Sequence, residues 1–339
     1  MADIAPKKIT LPGRSCDPDF HLATYETGAG TAVVFCHGFP DLALGWRHQL
    51  AAVSARGYRA VAPDMRGYGG SSCPPGVEAY SIEELTGDLV ALLDALDIDK
   101  AVFVGHDWGG FVAWAMPVLH PQRVAGVAAA CTPYMPFPSV AVHADLVGGD
   151  IERQYVAWFQ LPGVAETHMD QHVRSILSKI MRTGVPLEEL YAVAFADGKL
   201  NMNPFLDIES TPELGEPLFS DEDFESYVEA FSSTGFRGGI NWYRNIDHNA
   251  LAHPGVGVTP LDIPCLMLMA DWDPALRPEF AADMPQRCSR LEMHLIEKAG
   301  HWVQQEQATI FNAHLLSWLE RNFPQSASVV ELPAGEHKP

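Results

Sequence analysis

Positive charge is scarce in this chain. Only 22 Lys and Arg stand against 43 Asp and Glu, a formal charge of −21. Such a surface repels phosphate backbones and anionic headgroups, which argues against nucleic acid or membranes as partners. The opening MADIAPKKIT lacks an apolar core of signal-peptide length, and no later run approaches a membrane span, so a cytoplasmic protein is expected. The six cysteines (Cys16, Cys36, Cys73, Cys131, Cys265, Cys288) show no CxxC or metal spacing and read as reduced thiols, Cys36 and Cys265 within strands. The prolines and glycines are dispersed, leaving no low-complexity tract or internal repeat. Two near-motifs also lack a part. HMDQH puts His168 and His172 on one helical face but has no HExxH glutamate, so a solvated helix face is expected and no metal. GYGGSS, from Gly67 to Ser72, misses the third glycine of a dinucleotide fingerprint, so a turn is expected and no cofactor.

What remains is a chain of 339 residues, 47% hydrophobic and 19% charged, long enough to bury a large core. Strand signals alternate with helix signals in its first part: HLATYET, AVVFC (Ala32–Cys36), RAVAPD (Arg59–Asp64), AVFVG (Ala101–Gly105) and VAGVAAAC (Val124–Cys131). Helices are expected at Leu44–Ala55, at Ser81–Leu96 and after Gly109. The second opens on a capping box, Ser81 and Glu84, and carries one apolar face of Ile82, Leu85, Leu89, Leu92, Leu93 and Leu96. Continuous apolar strands between helices mean a mostly parallel sheet covered on both faces, an α/β fold. The alternation stops near Pro133. Helical patterns follow at Ile151–Phe159, Ala165–Arg182, Asp221–Ser232 and Gly239–Leu251. Strands return at Cys265–Ala270 and Leu291–Glu297, and a last helix runs over Gln304–Asn322. The expected organisation is a core of residues 1–134 and 255–323, a helical lid inserted at 135–254, and a flexible tail at 324–339. Ligands bind at the carboxyl edge of open α/β sheets, where such a lid would lie.

FVGHDWGG, from Phe103 to Gly110, carries the chemistry. It reads as strand, sharp turn, helix, with Gly105, Asp107 and Gly109 in the order G-x-D-x-G. The G-x-S-x-G of many hydrolases holds a nucleophilic serine at this turn, and here the serine is missing. Partners in that arrangement follow in the order acid, then histidine. ADWDPAL supplies Asp271 and Asp273 after a late strand, and EKAGHWVQ supplies His301 after the last one. CHGFPD, at the end of another strand, is placed to give a backbone N–H to an oxyanion hole, with a possible cis bond before Pro40. The two donors would be Phe39 and Trp108. His106, at the strand end, should point its side chain away from that of Asp107.

HGFP, GHDWGG, RQYVAWFQLPGVAE, GFRGGINWYRN, ADWDPAL and GHW together resemble the α/β-hydrolase-fold epoxide hydrolases, above all the hydrolase domain of the soluble kind. The likeness runs from about Thr10 to Phe323 and leaves no room for the N-terminal phosphatase domain of the vertebrate enzymes. It implies Asp107 as nucleophile, His301 as base, Asp273 as its partner, and Tyr155 and Tyr243 as proton donors on the lid. An aspartate suits that chemistry, because a carboxylate can open the strained ring and leave a cleavable ester, where serine would leave an ether. The substrates implied are small-molecule epoxides and water, with no cofactor and no metal. Trp158, Phe159, Met202 and Trp242 are candidates to line an apolar pocket. The alternatives are a haloalkane dehalogenase, with which Trp108 is equally compatible, and a non-catalytic binding protein, against which the intact Asp107, Asp273 and His301 argue.

Overall fold

The computed structural model describes residues 5–325 except 196, 197 and 210. Eight strands form one sheet: β1 (Lys7–Thr10), β2 (His21–Thr27), β3 (Ala32–Cys36), β4 (Arg59–Pro63), β5 (Ala101–His106), β6 (Val124–Ala130), β7 (Leu261–Ala270) and β8 (Cys288–Ile296). Their order is β1-β2-β4-β3-β5-β6-β7-β8, antiparallel at the β1–β2 and β2–β4 pairs and parallel elsewhere. Every residue of β3 and β5 is buried, as expected of central strands covered on both sides. Successive side chains alternate between faces. Val34 and Cys36 join one core layer, while Val33 and Phe35 join the other.

Helices α1 (Arg47–Ser54), α2 (Ile82–Ala95) and α3 (Trp108–Leu119) follow the strands of the first part. The Ser81 hydroxyl caps α2 by accepting from the Glu84 N–H, as the capping box implies. Between β6 and β7 the chain forms α4 (Val140–Asp145), α5 (Tyr155–Trp158), α6 (Val164–Gln171), α7 (Val173–Ile180), α8 (Leu187–Ala194), α9 (Asp221–Thr234), α10 (Arg237–Arg244) and α11 (Ile246–Ala252). The core part ends with α12 (Met284–Arg287), α13 (Val303–Glu306) and α14 (Ala308–Asn322). One core layer joins α2 and α3 to this helical segment; the other packs α1 and α14 on the opposite face of the sheet.

Three long helices read from the sequence are broken in the structure. The stretch 165–182 divides at His172, 239–251 at Asn245, and 304–322 at Gln307. Apolar periodicity survives such breaks because both halves bury the same side, so the pattern cannot mark them. Residues 151–159 form a short 3₁₀ turn followed by α5. The pattern also leaves β1, α4, α8 and α12 unmarked; the first three contain no fully buried residue, and α12 is only four residues long. Gly67–Ser72 is a turn, and the Phe39–Pro40 bond is cis. The expected tail lies, beyond Gln325, outside the described residues. Among those residues no helix is long and apolar enough to cross a membrane.

Candidate active site

Asp107 stands between β5 and α3 with φ 52° and ψ −125°, a left-handed conformation unusual for a side chain-bearing residue. The flanking glycines allow it. A Cβ on Gly105 would lie 2.1 Å from the Gly109 carbonyl oxygen, and one on Gly109 would lie 2.0 Å from the Cys36 carbonyl oxygen. The start of α3 therefore rests directly on the ends of β3 and β5. The Thr132 hydroxyl, just past β6, donates to the Asp107 carbonyl oxygen over 2.7 Å and steadies the turn.

The sheet order brings three loops to this point. The Phe39 N–H, past β3, donates to Asp107 Oδ1 over 2.8 Å, and the Trp108 N–H also favours the ionised carboxylate. Past β8, His301 Nε2 lies 3.8 Å from Asp107 Oδ2. The other ring nitrogen, Nδ1, donates to Asp273 Oδ2 over 2.9 Å, and Asp273 follows β7. Asp273 Oδ1 accepts the N–H groups of Ala275 and Leu276, so its carboxylate is tied at both ends. All these groups lie beyond the carboxyl ends of parallel strands.

Electrostatics divides their roles. Burial pushes the Asp107 carboxyl up, against the His301 charge and the Phe39 and Trp108 amides. Burial also raises Asp273, but the His301 charge and hydrogen bond, with the Leu276 amide, outweigh it and hold that carboxyl well below its usual range. Burial lowers His301, yet the charge and hydrogen bond of Asp273, then Asp107 and Glu306, lift it to about 9. At neutral pH His301 is thus an imidazolium paired with the Asp273 carboxylate.

Tyr155 opens α5 and Tyr243 lies on α10, with ring centroids 5.7 Å apart at 78°. Burial, and next the Asp107 charge, hold both phenols above their usual pKa, so both stay protonated at neutral pH. Tyr243 packs edge-on against the Trp108 and Phe39 rings, which ties α10 to the Asp107 turn. Of the aromatic residues read as pocket candidates, Phe159 packs on both phenols and on Phe39. Trp242 is fully buried and donates its indole N–H to the Arg66 carbonyl. Trp158 packs beside His168, and Met202 is half-buried, its N–H bonded to the Arg153 carbonyl. Phe205 joins the same aromatic group, touching Phe39, Tyr155 and Phe159.

Three further histidines have defined partners. The buried His106 ring, at the end of β5, donates from Nε2 to the His301 carbonyl oxygen over 2.6 Å and packs against the His301 ring at a tilt of 55°. His168 and His172 are half-buried rather than solvated, each with one ring nitrogen on a backbone carbonyl. Among the described residues, no group of three or more His, Cys, Asp or Glu is arranged to hold a metal ion.

Comparison with known proteins bears on the fold and the family. The model of the alpha/beta hydrolase fold family matches residues 31–308. Over 303 residues the chain is 39% identical to epoxide hydrolase A of Mycobacterium tuberculosis, covering 87% of this chain and 91% of that one. Over 323 residues it is 36% identical to bifunctional epoxide hydrolase 2 of Sus scrofa, covering 91% of this chain but 57% of the relative. The chain thus spans little more than half the length of that relative and of its mouse and rat counterparts. The crystal structure of epoxide hydrolase A from Mycobacterium thermoresistibile superposes with a TM-score of 0.80 at 36% identity, covering 93% of this chain and 98% of that one. An epoxide hydrolase from an endophytic Streptomyces gives 0.83 at 30% identity, covering 94% and 96%. The chain belongs to the alpha/beta hydrolase fold family and, within it, to the epoxide hydrolases.

Proposed function

We propose that this protein hydrolyses epoxides to vicinal diols through a covalent ester on Asp107. The observation that carries the reading is a carboxylate at the strand-to-helix turn, bonded to the Phe39 amide, with His301 at 3.8 Å and two protonated phenols nearby.

In the first half-reaction, an Asp107 oxygen attacks an epoxide carbon and the ring C–O bond breaks. The departing oxygen takes a proton from Tyr155 or Tyr243, which an alkoxide needs as it forms. The products are a hydroxyalkyl ester and a phenolate. Ester formation removes the Asp107 charge, one of the anions that keep His301 protonated. The imidazolium then returns a proton to the phenolate and becomes a neutral base.

In the second half-reaction, His301 takes a proton from water as the water oxygen bonds to the Asp107 carboxyl carbon. The tetrahedral oxyanion lies at the Phe39 and Trp108 N–H groups. Its collapse breaks the bond to the substrate oxygen, which leaves with the imidazolium proton as the second hydroxyl of the diol. The new carboxyl gives its proton to His301, restoring the starting state. Asp273 holds the ring in the tautomer that turns Nε2 towards Asp107.

Residues 135–254 act in this scheme as a lid that brings both phenols to the ring oxygen. The aromatic surroundings of the phenols, Phe39, Phe159 and Phe205, favour lipophilic epoxides. The test is a single turnover in ¹⁸O-labelled water with a panel of epoxides. Label is expected mainly in the Asp107 carboxylate, with diol released. Label entering the diol directly would mean that water attacks the epoxide, and the covalent scheme would fail.

A further inference from the structure

Glu306 lies on α13, five residues after His301, and is largely buried. Its carboxylate accepts three backbone N–H groups: Gly300 at 2.8 Å and Gly184 at 2.9 Å on Oε2, and Trp302 at 3.0 Å on Oε1. Gly300 and Trp302 are the residues on either side of His301. Gly184 belongs to the inserted helical segment, just past α7. Two further contacts join the same places. The Trp302 indole N–H donates to the Ile180 carbonyl over 2.9 Å. The Gly184 and Gly300 backbones meet so closely that a Cβ on Gly184 would lie 2.4 Å from the Gly300 Cα, and one on Gly300 would lie 2.5 Å from the Gly184 Cα.

We propose that Glu306 is a positioning residue for His301, gripping the backbone on both sides of the ring and anchoring that grip to the inserted segment through Gly184. The inference rests on the reading of His301 as the base of the second half-reaction. A neutral side chain could cap one or two of these amides. Holding three at once, from two directions, uses both oxygens of a carboxylate. Burial pushes the Glu306 carboxyl above its ordinary value, and the three N–H groups with the nearby His301 charge oppose only part of that cost. His301 therefore receives a fixed backbone from Glu306, a fixed ring tautomer from Asp273 and a packing contact from the tilted His106 ring. The groups facing it are the carboxylates of Asp107, Asp273, Glu306 and Asp41, and the His106 ring, which burial keeps neutral.

The test uses the full chain with Glu306→Gln and Glu306→Asp. Alkylation of Asp107 and hydrolysis of the resulting ester are timed separately by quenched mass spectrometry. In parallel, the His301 imidazole is titrated by NMR on ¹⁵N-histidine protein, its signal assigned by its loss in His301→Gln. For Glu306→Gln, hydrolysis should slow by roughly 10–10²-fold, the scale of a misplaced reacting group, with alkylation little changed. Ester should accumulate, and the His301 midpoint should move to lower pH because one facing anion is gone. Glu306→Asp keeps the charge but cannot reach all three amides, so its midpoint should stay near native while hydrolysis remains slowed. Native hydrolysis with a native midpoint in Glu306→Gln would overturn the proposal. Equal slowing of both half-reactions would also overturn it, by assigning Glu306 to general stability. If Glu306→Gln does not fold, the selective defect in Glu306→Asp decides. A native protein that forms neither Asp107 adduct nor diol would sink the proposed reaction instead, while the imidazole titration would still report whether Glu306 acts on His301.

Discussion

His301 Nδ1 donates to Asp273 Oδ2 over 2.9 Å, and Asp273 is fully buried. Asp271, in the same loop, is turned elsewhere and accepts the Ala299 N–H at 3.2 Å. The two carboxylates should therefore respond differently to neutralisation. Asp273→Asn should slow ester hydrolysis by roughly 10²–10⁴-fold, because the imidazole loses the group that orients its tautomer. Asp271→Asn should change that rate by only a few-fold. Rapid-quench measurement of ester decay in both variants checks the assignment, and a larger defect in Asp271→Asn would reverse it.

The same pair makes stability depend on pH. Folding raises the His301 pKa from 6.5 to about 9. A raised value means the folded state holds the proton more tightly, so this contribution is fully present below pH 6.5 and is lost as pH rises through 9. Asp273, held low, contributes above the ordinary carboxylate range and loses its contribution only in strong acid. Urea midpoints of the native protein should fall between pH 6.5 and 9. The fall should be shallower in Asp273→Asn, whose His301 lacks its strongest anion. Parallel pH profiles for the two proteins would contradict the coupling.

The phenols separate epoxide opening from the displacement of a halide. A halide leaves as a stable anion, whereas an epoxide oxygen leaves as an alkoxide and needs a proton. Tyr155→Phe and Tyr243→Phe keep the ring packing against Phe159 and against each other. Each should slow alkylation of Asp107 by a styrene-type epoxide. The double change should cost roughly 10²–10⁴-fold, the usual worth of general acid assistance. A double variant alkylated at the native rate would remove both tyrosines from the mechanism. Rapid halide release from a haloalkane, with no diol from any epoxide, would point to dehalogenation.

Gly109→Ala tests the close approach under the nucleophile turn. The added methyl would meet the Cys36 carbonyl oxygen at 2.0 Å, and both partners are backbone in central elements. Nothing there can move as a side chain would, so destabilisation of about 3 kcal/mol or more is expected. Chemical denaturation of the purified variant, or its failure to accumulate in folded form, provides the measurement. Stability within 1 kcal/mol of native would show that α3 can shift away from β3.

Local physics writes much of this molecule into its sequence. Ala32–Cys36 and Ala101–His106 are continuous apolar strands because both faces are covered, and that pattern is visible in one dimension. The turn at Asp107 was legible from Gly105 and Gly109, since only residues without a Cβ tolerate such contacts. The tyrosines were legible only through resemblance, since a tyrosine on a helix carries no periodic sign of what it faces. The tertiary structure alone decided which residues meet across long separations. It put the His106 ring against His301 and brought Glu306 against Gly184 from 122 residues away. It also divided helices whose apolar faces run on unbroken, and brought Phe205 beside the phenols. A hydrogen bond between distant residues leaves no spacing in the sequence, because the fold and not the chain fixes the distance between its partners.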